Sequence, residues 1–255
     1  MKKYILMDSE YCSMGRWISV IVGKKLGMKL YEGKDLVKLA DEEWLTEDYL
    51  KDFDNRIADM SLEEVKESDE IKKVHQALSK AILKAVENGP CIIHERAAGD
   101  VLEGHADCLK VLLYNTSMDH RIPRAIADKT YDLEGLEHDE LVNFIHREDH
   151  KRKVYRDAVS HHLWGEKESY DICLDSDVLS REKCAEILIE AASDCNLDLE
   201  ECAQIIRSSF NWTKKEVTRD DQKTLEIILF NDLSQHIYFR WWLCHRYIDA
   251  KEVCR

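Results

Sequence analysis

Residues 4–27 read YILMDSEYCSMGRWISVIVGKKLG. Tyr4 to Met7 is a short apolar run and predicts a buried parallel strand. Asp8 to Gly15 breaks that run with small and polar residues. Trp17, Ile18, Ile21, Val22 and Leu26 then recur at helical spacing. The order is strand, tight loop, helix. In an open α/β fold such a loop aims helix N-terminal N–H groups at the carboxyl edge of the sheet, a geometry that attracts phosphate. The pattern G-x-x-x-x-G-K-[ST] is not met, however. The loop has a single glycine, Gly15, followed by Arg16, and Cys12 and Met14 stand where glycine would let a backbone approach phosphate closely. The segment alone therefore fits both a phosphate loop and a strand-loop-helix unit without a ligand.

The rest of the chain narrows the class. Its 255 residues suit one α/β domain, or a domain with an appendage. Hydrophobic residues make up 44% and charged residues 35%, enough for a real core under a well solvated surface. A formal net charge of −14 argues against general nucleic-acid or anionic-membrane binding. Nine cysteines, an odd number with no CxxC pair, indicate neither a disulfide framework nor a zinc site and fit a reducing cytoplasm. Met1 to Met7 is too short for a signal peptide, and no apolar run approaches the ~18 residues of a membrane span.

Further along, Lys29 to Tyr31 reads as a second short strand and Asp35 to Trp44 as an amphipathic helix. Thr46 caps a helical piece through Phe53, and Asn55 to Glu70 reads as an acidic, mobile surface segment. Ile71 to Val86 is a helix with Val74, Leu78, Ile82, Leu83 and Val86 on one face, stopped by Asn88-Gly89-Pro90. Cys91 to His94 and Leu109 to Tyr114 are strands. Ser117 caps a helix to about Lys129, Asp139 to His162 is a long polar helix, Tyr170 to Leu174 is the last strand, and Ser180 caps Arg181 to Ala192. Strands alternating with helices predict a five-stranded parallel sheet with Tyr4–Met7, Cys91–His94 and Leu109–Tyr114 adjacent. From Asn196 onward the chain changes character. Arg219 to Ala250 predicts one long helix whose apolar stripe needs a partner, either the chain's own core or the same helix of a second copy.

Chemistry concentrates in arginines. Arg147, Lys151, Arg152, Lys153 and Arg156 crowd one helix of an acidic protein. They read either as a solvated helix with pairs such as Glu148–Arg152, or as an anion clamp that forks onto phosphoryl oxygens. Arg96 follows a strand directly, at the carboxyl edge that carries the first loop. Arg121 and Arg124, three apart on one helix face, read either as a further anion-binding pair or, more simply, as surface salt-bridging residues. His146 and His150 are four apart, but their basic surroundings repel a cation, so no metal site is expected.

Several ordered motifs resemble those of cytidylate kinase-like proteins, relatives of the nucleoside monophosphate kinases. Ser9 to Ser19 resembles S-R-E-Y-G-S-G-G-R-x-I-A, and Leu26 to Tyr31 resembles their second strand. Cys91 to Ala98 resembles C-V-I-V-G-R-C-A, Asp149 to Tyr155 resembles the lid D-x-x-R-x-x-Y-Y, and Trp164-Gly165 with Tyr170 to Ser176 resembles W-G…Y-D-L-x-I-N-T-S. The resemblance implies a three-layer P-loop NTPase-like fold over residues 1–195, with a lid at about 135–165 and a helical C-terminal extension over 196–255. It also implies ATP and Mg²⁺ as cofactors and phosphoryl transfer to a nucleoside monophosphate such as CMP. By carry-over Ser13, Gly15, Arg16 and Arg156 would hold the donor and Arg96 the acceptor monophosphate. Arg16, Arg147 and Arg152 would act on the phosphoryl group, and Asp149 would orient the lid arginines or the base. Glu10 stands where the family has arginine, Cys12 and Met14 replace loop glycines, and Glu95 replaces the glycine before the strand-end arginine. A catalytically impaired relative that binds nucleotide, or a protein partner through its helical tail, fits the same residues.

Overall fold

The computed structural model describes residues 2–128 and 130–193. The expected helical extension, its long helix and any dimer contact through it lie outside the described residues. Five strands form one all-parallel sheet: β1 Tyr4–Ser9, β2 Lys29–Tyr31, β3 Cys91–His94, β4 Cys108–Tyr114 and β5 Ile172–Asp175, in the order β2-β3-β1-β4-β5. Tyr4 is registered against Cys91 on one side and Cys108 on the other, so β1 is the central strand. Helices cover both faces, which is why β1 and β4 are near-continuous apolar runs; Ile5, Leu109, Val111 and Leu113 are fully buried. The described residues form a three-layer α/β fold of the P-loop NTPase type.

Helix α1 (Gly15–Leu26) starts directly after the first loop. Met14 is its N-cap, and no side chain caps it. It ends at Gly27, where φ is 68° and the N–H returns to the Gly23 carbonyl. Trp17 departs from the expected stripe. It is 62% exposed, while Ile18 and Val22 carry the burial. The predicted helix 35–44 is α2 (Gly33–Ala40), and Thr46 does cap α3 (Glu47–Ile57) by accepting from the Tyr49 N–H.

The segment 55–70 is not the mobile stretch its acidity suggests. Helix α3 runs on to the fully buried Ile57, and Ser61 and Glu64 form a reciprocal capping box for α4 (Leu62–Glu67), whose Val65 is buried. Helix α5 (Asp69–Glu87) buries Ile71, Val74, Leu78 and Ile82, although Leu83 faces solvent. A short α6 (Ala98–Val101) follows β3, and α7 (Met118–Ala127) follows β4. The long polar helix is α8 (His138–Val159). It is less polar than it reads, because Leu141, Ile145 and Tyr155 are buried as it packs across α3, α5 and α7. Helix α9 (Arg181–Ala192), capped by Ser180, lies against α1.

Candidate functional site

The carboxyl ends of β1 and β3 open into two loops, and both hold backbone that L-residues rarely adopt. Cys12 and Met14 have φ of 63° and 70°. Glu95, Arg96 and Ala97 follow one another at 70°, 62° and 54°. The first loop thus keeps the left-handed turns that glycine favours while carrying side chains there, at a cost of roughly 1–2 kcal/mol per residue. Gly15 is retained for a different reason. A Cβ on it would lie 2.6 Å from Ser9 Cβ and 3.1 Å from His94 Nε2, where Ser9 Oγ and His94 Nε2 already meet at 2.9 Å.

Side chains from α7 and α8 pin the first loop. Arg121, only 3% exposed, donates from Nε to the Tyr11 carbonyl (2.9 Å), from Nη1 to Glu10 (3.2 Å) and from Nη2 to Asp149 (2.5 Å). Arg124 donates to the Cys12 carbonyl at 3.0 Å, and the Tyr11 N–H donates to Asp149 at 2.7 Å. Glu10 also takes the Asn115 N–H at 2.9 Å. Burial raises the Glu10 pKa despite that N–H and Arg121. Arg121 and Arg124 are therefore loop supports rather than surface salt-bridging residues. The signal that places Arg121 inward is its i,i+4 relation to the buried Ala125 on α7.

Each arginine assigned to phosphate faces a carboxylate. Arg96 forks onto Asp54 at 2.7 and 2.6 Å beneath the Tyr155 ring. Arg152 donates from Nε to Glu95 at 2.8 Å and from Nη1 to the Glu148 carbonyl at 2.7 Å. Arg156, 4% exposed, bonds Asp8 and lies 3.3 Å from Asp100, over the Tyr170 ring. Arg16 pairs with Glu32 at 2.9 Å on the surface, and the exposed Arg147 forks onto Asp59 at 2.8 and 2.9 Å. Burial drives Glu95 toward its neutral form, but Arg152, His94 and Arg96 overcome it and hold the carboxyl at about 2. Burial works against the Arg96 charge, and Asp54 more than restores it.

Two cavities open at this edge. The smaller, about 180 Å³, has Arg96, Arg152 and Arg156 in its wall. The larger, about 780 Å³, has Gly15, Arg16, Arg124, Arg152 and Arg181. Glu95 and Arg152 border both. Arg16 lies on the larger cavity, Arg96 and Arg156 on the smaller, Arg152 between them and Arg147 on neither. Ser13 is buried with its hydroxyl on the Leu113 carbonyl, and Asp149 is spent on Arg121 and the Tyr11 N–H; neither borders either of these two cavities.

The larger cavity suits a polyphosphate. Its wall holds four arginines and four carboxylates, Glu10, Glu32, Glu95 and Asp128, so a phosphate there would have to displace the carboxylates from Arg16 and Arg152, while α1 meets it at Gly15 with no side chain on its first N–H groups. The Mg²⁺ of a phosphate loop has no such fit. The position after the loop cation, which carries its hydroxyl ligand, is Trp17. Among the described residues no three His, Cys, Asp or Glu side chains are grouped to hold a metal. A bound Mg²⁺ would rest on phosphate oxygens and water.

The sequence model of the cytidylate kinase-like family matches residues 4–178. No curated protein matches the chain. Among solved structures, an uncharacterized protein from Eubacterium ventriosum is similar at a TM-score of 0.54 and 17% identity, covering 74% of this chain and 97% of its own. Shikimate kinase from Acinetobacter baumannii, in complex with shikimate, aligns at a TM-score of 0.40 and 9% identity over 74% and 92% of the two chains. That from Aquifex aeolicus aligns at 0.36 and 13% over 73% and 94%. Among the described residues no helix is long and apolar enough to cross a membrane.

Proposed function

Because the chain belongs to the cytidylate kinase-like family, we propose that this nucleotide kinase-like protein transfers a phosphoryl group from ATP to a nucleoside monophosphate, with CMP the first acceptor to test. The observation that carries the reading is the position of Arg152 on the wall common to two cavities. A donor polyphosphate in the larger would lie against the α1 N-terminus and Arg16. An acceptor phosphate in the smaller would take the fork of Arg96. A group passing between them meets Arg152, which stabilises the charge that spreads over its equatorial oxygens. The attacking group is an anionic oxygen of the acceptor monophosphate, so no general base is needed. A new O–P bond forms, the bond to the β-phosphate oxygen breaks, and ADP leaves with the electron pair. Both arginines exchange a carboxylate for a phosphate oxygen on binding, Arg96 leaving Asp54 and Arg152 leaving Glu95. The described cysteines are free thiols, in keeping with a cytoplasmic protein.

A coupled ADP-release assay with ATP, Mg²⁺ and each nucleoside monophosphate in turn is the test. Turnover with one acceptor, lost by about 10²-fold or more in Arg152→Ala, is the expected result. A second reading, a catalytically impaired nucleotide binder, is favoured by one feature: Asp149 occupies the Tyr11 N–H that a loop phosphate would use. ATP binding without turnover on any acceptor would select it.

A further inference from the structure

Trp17 is the only aromatic side chain among the strongly exposed large apolar ones of the described residues. Such a side chain in water forgoes a large apolar contact. Here it is not on a remote surface. It stands on the first turn of α1, immediately after Arg16, and forms part of the wall of the larger cavity beside Gly15. The guanidinium of Arg181, the first residue of α9, lies over its ring at 5.8 Å and borders the same cavity. Glu182 accepts from Arg181 Nε at 2.9 Å and Nη2 at 2.6 Å, which steadies the guanidinium. The cavity wall therefore carries a planar aromatic surface beside the N-terminus of α1.

We propose that Trp17, with Arg181, is the stacking wall for the base of the donor nucleotide, so that this site distinguishes a purine nucleoside triphosphate from inorganic polyphosphate. The inference rests on the donor reading of the larger cavity and adds the part of the ligand that reading leaves open. The base lies on the indole while the phosphates run past Arg16 to Gly15 and Arg152. Every base has a π-face, so stacking favours purine nucleotides over bare phosphate more strongly than one purine over another.

The test titrates the full-length protein with ATP, GTP and inorganic tripolyphosphate at one fixed Mg²⁺ concentration, by calorimetry and by tryptophan fluorescence. Wild type is expected to bind ATP and GTP with similar affinity, each roughly tenfold tighter than tripolyphosphate. Trp17→Ala should bring both nucleotides to the tripolyphosphate level and leave tripolyphosphate binding unchanged. Trp17→Phe should keep most of the preference while losing the fluorescence quench on ATP. Equal binding of ATP and tripolyphosphate by wild type would overturn the stacking wall and leave the donor site standing. So would a Trp17→Ala variant that binds ATP normally, or one that weakens tripolyphosphate as much as ATP. If wild type binds none of the three probes, the donor reading falls and the stacking wall falls with it.

Discussion

The guanidinium of Arg96 meets the carboxylate of Asp54 edge to edge, through two hydrogen bonds of 2.7 and 2.6 Å. That fork is the geometry with which arginine holds a phosphate. Asp54 comes from α3, Arg96 from the turn after β3, and both side chains are largely shielded from water. The chain thus carries its own substitute for an anion at the candidate acceptor site.

Asp54→Asn should loosen that substitution. Arg96 then keeps a partly buried charge without its hydrogen-bonded counter-ion, so the variant should be less stable than wild type by about 2 kcal/mol. Phosphate or CMP should bind several-fold tighter and recover more of the melting temperature in the variant than in wild type. Thermal melts of both proteins with and without phosphate check this. An equal shift in both would remove Asp54 as a competitor.

Glu95 sets an acid limit. Its folded pKa of about 2 lies below the ordinary carboxylate value, so its contribution to stability is present above about pH 4.5 and is lost as pH falls through about 2. Glu95→Gln should cost about 2 kcal/mol at pH 7, allowing for the partial exposure of the Glu95–Arg152 pair. The gap to wild type should close as both approach pH 2. Urea unfolding at several pH values would reveal a constant gap if Glu95 titrated normally.

Met14→Gly places glycine at a φ of 70°. Relief of the left-handed strain, reduced by the greater freedom of glycine when unfolded, should leave stability unchanged or raised by about 0.5 kcal/mol. Removing the side chain from the rim of the larger cavity should tighten tripolyphosphate binding. A loss above about 1 kcal/mol in denaturant titration would mean that Met14 packing outweighs the strain.

Arg121→Met removes the cation shared by the Tyr11 carbonyl and Glu10 of the first loop and by Asp149 of α8. Glu10 and Asp149 would then be left close together without it, and the loss should be about 3 kcal/mol. Nucleotide affinity should fall as well, although Arg121 borders neither cavity, because Tyr11 and Glu10 lose their anchor. Unchanged nucleotide binding in the variant would show that the loop holds its shape without α7.

Much of this was legible beforehand. The apolar runs at Tyr4–Met7, Cys91–His94 and Leu109–Tyr114 located three adjacent strands, since burial on both faces leaves little room for polar residues. Thr46 and Ser180 marked helix starts, because their hydroxyls have one local task there. The pairing of the arginines was not legible. Asp54 lies 42 residues from Arg96, and Asp59 lies 88 from Arg147. Such meetings depend on how α3 and α8 cross, which no periodicity encodes. Acidity also misled at 55–70, where Ile57 and Val65 anchor a segment whose other side chains are mostly polar.

The central place of β1 bears on how the chain folds during synthesis. Of the five strands of this sheet it is the first to leave the ribosome, yet its two neighbours begin 87 and 104 positions later. At about 5–20 residues per second, the apolar Ile5-Leu6-Met7 run waits roughly 5–20 s for both edges to be covered. Nascent chains arrested before Cys108 emerges should be cut by protease near Leu6, and chains arrested after Tyr114 emerges should be protected.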